Sequence, residues 1–242
     1  MFHFSEGELI LINKEPGWTS FDVIRCIKPA IQTFEEKQWG IRHKIKIGHA
    51  GTLDPLATGL LIICTGKKTK EIKNIQPLPK TYSGCFFIGA TTPTLDAEQP
   101  VDQTFDTAHI TPQLIETTAK QFIGPQMQIP PAYSAIHING KRAYQLAREN
   151  KEVELHPKLI HIYRFDIKKM ELPYVYFEIE CSKGTYIRSI ARDFGYALNS
   201  GAYLHSLKRL AIGPFNIQNA LTVQQFLDTL KKTESHIIPK HL

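Results

Sequence analysis

Residues Gly48 to Lys70 read GHAGTLDPLATGLLIICTGKKTK. Within them GLLIIC, 59–64, is a short apolar run bounded by glycines, and it reads as a buried strand. The loop before it holds Gly48, Gly51 and the Asp54-Pro55 pair. Between Glu36 and Glu71 Asp54 is the one acidic residue, set among Lys37, Arg42, Lys44, Lys46, Lys67, Lys68 and Lys70. An Asp-Pro pair opens turns, so turn chemistry is one reading of Asp54. The apolar neighbours Leu53, Leu56, Ala57 and Leu60 point to another, a packed loop. A carboxylate in a packed loop needs a cation or hydrogen-bond donors to stay charged. That is how a protein presents a nucleophile or a base. A phosphate-binding loop is excluded, because six residues separate Gly59 from Gly66-Lys67 where that motif has four.

Outward from this stretch, helices and strands mix without a regular βαβ alternation. ELILIN (8–13) reads as a strand. Thr19 and Ser20 are candidate caps of a helix that Pro29 should kink or split. TYSGCFFIGA (81–90) is a strand with Tyr82, Gly84, Phe86 and Ile88 on one face. Thr111-Pro112 opens a helix that Gly124-Pro125 should end. LIHIYRFDI (159–167) and YVYFEIEC (174–181) alternate with period two, as half-buried antiparallel strands do. SKGTYIRSIARDFGYAL (182–198) turns helical, AYLHSLKRLAI (202–212) returns to strand, and LTVQQFLDTLKK (221–232) closes as a helix. We expect one α+β domain around a mostly antiparallel sheet, with 126–158 as an inserted loop-and-helix arm.

Composition narrows the class of function. Lys and Arg number 29 against 23 Asp and Glu, giving a net charge of +6, which suits a polyanionic partner. Cys26, Cys64, Cys85 and Cys181 form no C-x-x-C pair, so no zinc knuckle is written here. Scattered thiols fit a reducing compartment. The N-terminus lacks the basic start and long apolar run of a signal peptide, and no apolar run approaches the ~20 residues that span a bilayer. The expectation is a soluble, cytoplasmic protein.

Five segments, GHAGTLDPLATGLLIICTG, KTYSGCFFIGATTPTLDAEQP, IPPAYSAIHINGKRAYQLAR, CSKGTYIRSIARDFG and YLHSLKRLAIGPF, resemble the tRNA pseudouridine-55 synthases of the TruB family in order and spacing. LINKEPGWTSFDVI is similar to that family's first motif. The resemblance spans roughly residues 8–215 and implies the pseudouridine synthase fold, a mixed and mostly antiparallel central sheet flanked by helices, with an RNA-gripping arm. It implies isomerisation of the T-loop uridine of tRNA, position 55, with no metal and no organic cofactor. The catalytic aspartate of the family falls on Asp54, and the uridine must flip out to reach it. Attack on C1′, addition to the base and removal of a ribose proton all remain open to that carboxylate. His49 matches the histidine that supports the flipped conformation, and Tyr82 the tyrosine that stacks on the base. Arg188 matches the arginine that pairs with the aspartate, which would keep the acid ionised and aimed. Tyr186 and Leu207 match residues that line the uracil pocket.

Lys14 matches the first-motif lysine and supports the site. It is grouped with Lys67, Lys141, Arg142, Arg148, Lys208 and Arg209 as cations for the RNA backbone, whose contacts are salt-sensitive and blind to sequence. Lys14-Glu15-Pro16-Gly17 departs from the family's Lys-Pro-x-Gly, and His137 stands where the arm usually carries a lysine. The stretch after Leu210 is too short for a C-terminal domain of the PUA type, so a single catalytic domain over 1–242 is expected. It would work as a monomer on the tRNA T-arm, with no protein partner implied. Two rivals stand beside this reading. One is a non-catalytic tRNA-binding or folding protein on the same scaffold. The other is a two-carboxylate hydrolase, which the acid-poor surroundings of Asp54 disfavour.

Overall fold

The computed structural model describes residues 2–40, 44–133, 137–138, 141–142 and 155–235, and for 137–138, 141–142 and 234–235 the backbone alone. In chain order the strands are β1 Leu9–Lys14, β2 Ile47–His49, β3 Thr58–Thr65, β4 Lys80–Ile88, β5 Ala90–Thr91, β6 Gln103–Thr104 and β7 Gly124–Gln128. They continue with β8 His137–Ile138, β9 Lys141–Arg142, β10 Lys158–Glu171, β11 Tyr174–Cys181, β12 Ala202–Ile212 and β13 Phe215–Asn216. The helices are α1 Ser20–Trp39, the single turn α2 Ile72–Ile75, α3 Pro112–Gln121, α4 Ile187–Ala197 and α5 Val223–Ser235. This is the α+β class read from the sequence. Among the described residues no helix is long and apolar enough to cross a membrane. The chain divides into two compact units, one made of residues up to Lys80 and from Lys208 on, the other of Thr81–Leu207.

In the first unit β3 is the central strand. It pairs antiparallel with β1, from Leu9 opposite Cys64 to Lys14 opposite Gly59, and antiparallel with β2. On the side away from β1, β2 meets its last residues and β12 runs parallel to its start, with Lys208 opposite Thr58 and Arg209 opposite Gly59. Leu61 and Ile63 pack into a core with Ile27, Ile31 and Phe34 of α1 and Phe226 and Leu230 of α5. Leu60, Ile62 and Cys64 pack into a second core with Ala50, Ile75 and Ile212. A strand covered on both faces needs apolar residues at every position, which is why GLLIIC is a continuous run.

Helix α1 starts at a capping box. Thr19 Oγ1 accepts from the Asp22 N–H at 3.0 Å, and the Thr19 N–H donates to Asp22 Oδ2 at 2.9 Å. Thr19 is therefore the cap, and Ser20 turns inward. The helix continues unbroken through Pro29, so the proline does not split it. Val23, Ile24, Ile27, Ile31 and Phe34 are all buried along one stripe, and that packing outweighs the hydrogen bond the proline cannot make.

In the second unit the strand order is β12-β4-β11-β10-β7, with the first half of β12 at one edge. Val175, Phe177 and Ile179 alternate with more exposed residues along β11, as the period-two pattern predicted. Phe86, Phe165, Phe177 and Phe194 meet at centroid distances between 4.2 and 6.3 Å, and Phe122 joins Phe165 and Phe194. Gly124-Pro125 does not simply end α3. It begins β7, which pairs with β10 from Gly124 opposite Ile162 to Gln128 opposite Lys158. Pro125 is tolerated there because β7 is the last strand of the order. Both ends of the range read as an arm are thus paired sheet. Lys141 and Arg142 lie in a two-residue strand opposite His137 and Ile138. The side chains of His137, Lys141 and Arg142, and Arg148 with the expected basic helix, lie outside the described residues.

Gly59 makes a demanding close approach to the neighbouring strand. Its φ is +101°, and a Cβ there would stand 2.3 Å from the Arg209 carbonyl oxygen and 2.7 Å from its nitrogen. Gly17 has a φ of +82° but open space around it. Gly59→Ala is therefore expected to lower the unfolding free energy by about 2–4 kcal/mol, and Gly17→Ala by about 1 kcal/mol. Urea denaturation of both variants checks this; equal losses would show that backbone strain alone governs position 59.

Candidate active site

The Asp54 loop is held by its own backbone rather than by apolar contact alone. Ser20 Oγ accepts from the Leu53 N–H at 2.9 Å and donates to the Leu53 carbonyl at 3.3 Å. The Gly17 N–H donates to the Pro55 carbonyl at 2.9 Å. Lys14 Nζ donates to the carbonyls of Trp18 at 2.6 Å, Glu15 at 3.0 Å and Pro55 at 3.2 Å. From the other side Arg209 donates to the carbonyls of Leu60 at 2.7 Å, Gly51 at 3.0 Å and Thr52 at 3.3 Å. Leu53, Ala57 and Leu60 are buried as expected, but Leu56 is 42% exposed. Asp54 itself is half-buried.

Lys14 and Arg209 were grouped by charge with the RNA-contacting cations. Their side chains are 0% and 1% exposed, and the donors just described are spent on loop carbonyls, so neither presents its charge to solvent. Enclosure pulls the Lys14 ammonium down to about 8, while the Asp54 charge pulls it up and Arg209 adds to the fall. Lys14, Asp54 and Arg209 therefore share one electrostatic neighbourhood. His49, on β2, belongs to it too: burial first, then the Arg209 charge, hold its imidazole below the usual range, with a backbone contact to Gly51 opposing them. Lys67 and Lys208 are exposed, and Lys67 meets Glu6 at 2.5 Å.

The second unit carries the remaining residues singled out in the sequence. Tyr82 lies on the buried face of β4, at 9% exposure. Tyr186 stands immediately before α4, Arg188 is in its first turn, and Leu207 is half-buried on β12. Arg188 donates to the carbonyls of Tyr133 at 3.0 Å and Thr94 at 3.2 Å. Its Nη1 stands 3.6 Å from Asp96 Oδ2, with both side chains 7% exposed. Asp96 was not singled out in the sequence. Its Oδ1 accepts from Thr94 Oγ1 at 2.7 Å and from the Glu98 N–H at 3.0 Å. The Thr-x-Asp spacing in TTPTLDAEQP, a local side-chain turn, was the available signal.

Residues 38–187 match the model of the TruB family pseudouridylate synthase, N terminal domain. The chain is 46% identical to the tRNA pseudouridine synthase B of Flavobacterium johnsoniae, over 94% of this chain and 98% of that one. The chain belongs to the TruB family. It is also 46% identical to the tRNA pseudouridine synthase B of Phocaeicola vulgatus, over 96% and 97% of the two chains. Among solved structures, a chain of a Cbf5-Nop10-Gar1 complex superposes with a TM-score of 0.72 at 26% identity. That match covers 98% of this chain and spans 58% of the solved one. The pseudouridine synthase fold expected from the motifs is thus the fold observed, and where the TruB motifs fall on described residues they lie on the loop, strand and helix starts given above.

The lowered His49 pKa makes stability depend on pH with a fixed sign. The unfolded histidine titrates near ~6.5 and the folded one lower, so protonation is easier in the unfolded chain. The contribution is complete above about pH 6.5 and is lost as pH falls through the folded value. Between pH 7.5 and 5 the unfolding free energy of the wild type is expected to fall more than that of His49→Gln. Parallel falls in urea titrations would contradict the burial of a neutral imidazole.

Proposed function

We propose that this chain isomerises the T-loop uridine of tRNA, position 55, to pseudouridine, with Asp54 as the catalytic carboxylate. End-to-end likeness to tRNA pseudouridine synthases B carries the reaction class. The anchoring of the Asp54 loop supports the choice of carboxylate, because a reacting group must be held within a fraction of an ångström of its target. In the reaction the N1–C1′ bond breaks, the uracil turns over, and a C5–C1′ bond forms. The proton lost from C5 is matched by one gained at N1, so atoms balance and no redox partner enters.

The uridine reaches such a carboxylate only by leaving its stack. In this reading Tyr82 stacks on the flipped base, Tyr186 and Leu207 line the pocket, His49 supports the flipped conformation, and Arg188 holds the acid ionised. Neutral His49 suits that role, since it stacks or hydrogen-bonds without adding a cation beside Arg209. The RNA backbone falls to exposed cations, Lys67 and Lys208, and to Lys141, Arg142 and Arg148 of the arm. A tRNA substrate supports a cytoplasmic site of action, and we infer that the enzyme acts there as a monomer without a protein partner.

A tRNA transcript tritiated at C5 of uridine tests the reading, because forming pseudouridine releases that tritium and binding does not. Wild type is expected to release it and to leave a carbodiimide-dependent primer-extension stop at the T-loop uridine. Asp54→Asn is expected to lose on the order of 10³-fold or more in rate while still binding tRNA. A folded wild type that binds tRNA and releases nothing would hand the scaffold to the non-catalytic reading.

A further inference from the structure

Gln128 closes β7, and its side chain is 3% exposed. Its Oε1 accepts from the Tyr186 N–H at 2.8 Å, and its Nε2 donates to the Tyr186 carbonyl at 3.1 Å. One primary amide therefore pairs with both backbone groups of one residue, as a neighbouring strand would. Asn and Gln are the side chains that offer a neutral donor and acceptor in one plane, and the shorter Asn would have to approach more closely. The Tyr186 carbonyl also accepts from the Ile190 N–H at 3.1 Å, the first turn of α4, so both its lone pairs are in use.

The residues after Gln128 hold the same helix. The Ile129 carbonyl accepts from Ser189 Oγ at 2.8 Å and from Arg192 Nη2 at 3.2 Å. The Tyr133 carbonyl accepts from Arg188 Nη2. Ile129 is 45% exposed, so the segment is not fixed by apolar burial there. Tyr186 has φ −99° and ψ 109°, extended backbone immediately ahead of the helix. A rotation at that residue would swing its own ring and, two positions on, the Arg188 guanidinium.

We propose that Gln128 is a positioning residue for the reaction: it fixes the backbone of Tyr186 and through it the aim of the Tyr186 ring and of Arg188. This rests on the active-site reading given above. Gln128 touches no reacting atom. It acts at the junction between β7, which leads toward the cations of the arm, and the start of α4. Losing it therefore costs alignment in the bound complex rather than affinity for tRNA, which the exposed cations supply.

The test uses the full chain and the tritium-release assay, with folding of each variant checked by circular dichroism. Gln128→Ala is expected to lower kcat by about 10–100-fold, the scale of a small misplacement, with KM little changed. Gln128→Glu gives a readout that a packing role would not move. A protonated carboxyl accepts through its carbonyl and donates through its hydroxyl, replacing both bonds, whereas a carboxylate facing the Tyr186 carbonyl cannot donate. The ratio of Gln128→Glu to wild-type kcat is expected to be near one at low pH and to fall with rising pH toward the Gln128→Ala level. A flat ratio, a wild-type kcat in Gln128→Ala, or a loss confined to KM would overturn the inference. Should Gln128→Ala not fold, the pH course of Gln128→Glu decides alone. Asp54→Asn in the same assay separates the two readings. Tritium release by it sinks the active-site reading whatever Gln128 does; its silence beside a fully active Gln128→Ala sinks only the present one.

Discussion

One rung of the first unit's sheet sets the rest of the site. Across β1, β3 and β12 it reads Lys14, Gly59, Arg209. The central position has no side chain, and the Arg209 backbone stands where a Cβ would be. The flanking positions carry two of the longest cationic side chains, both enclosed. The loop that bears Asp54 enters β3 beside this rung. Its carbonyls at Gly51, Thr52 and Pro55 are therefore within reach of one cation or the other.

Enclosing two cations is costly, and the arrangement of acceptors is what makes it tolerable. An ammonium or guanidinium taken from water keeps its charge only where oxygens surround it. Carbonyls serve that purpose without adding an acid that would compete with Asp54. The fall of Lys14 toward 8 shows that compensation is incomplete, and that the Asp54 charge is part of it. The attraction between the Asp54 charge and the Lys14 ammonium adds an electrostatic tie to the carbonyl contacts. The rung thus fixes the loop mechanically and surrounds its carboxylate with positive potential.

Much of this was legible from sequence, for identifiable reasons. GLLIIC announced a buried strand because both faces of β3 are covered, and Asp54 stood out because no other acid lay near it in the chain. The caps at Thr19 and Thr111 were local chemistry, readable from neighbours. What escaped reading was set by tertiary partners. Lys14 and Arg209 look like surface cations, since nothing local says that carbonyls from distant segments will enclose them. Asp96 lay inside a quoted motif, but its partner Arg188 lies 92 positions further along the chain. Gln128 reads as one polar residue in a proline-rich approach, and its partner is the backbone of Tyr186, which has no sequence signature at all. Pro29 does not split α1 because the apolar stripe that holds the helix together outweighs one missing hydrogen bond.

The two units solve the same positioning problem with different chemistry. In the first, charged side chains reach out to the carbonyls of a loop. In the second, an amide, a hydroxyl and a guanidinium join the segment 128–133 to the first turns of α4. In the second unit Arg188 is both a member of that network and one of the side chains it presents. Positive charge is spread unevenly in its use. Lys14 and Arg209 are spent internally, which leaves exposed lysines for an RNA backbone in the proposed function. Lys67 is shared with Glu6, but an exposed ion pair is weak, so exchanging that carboxylate for a phosphate meets little resistance.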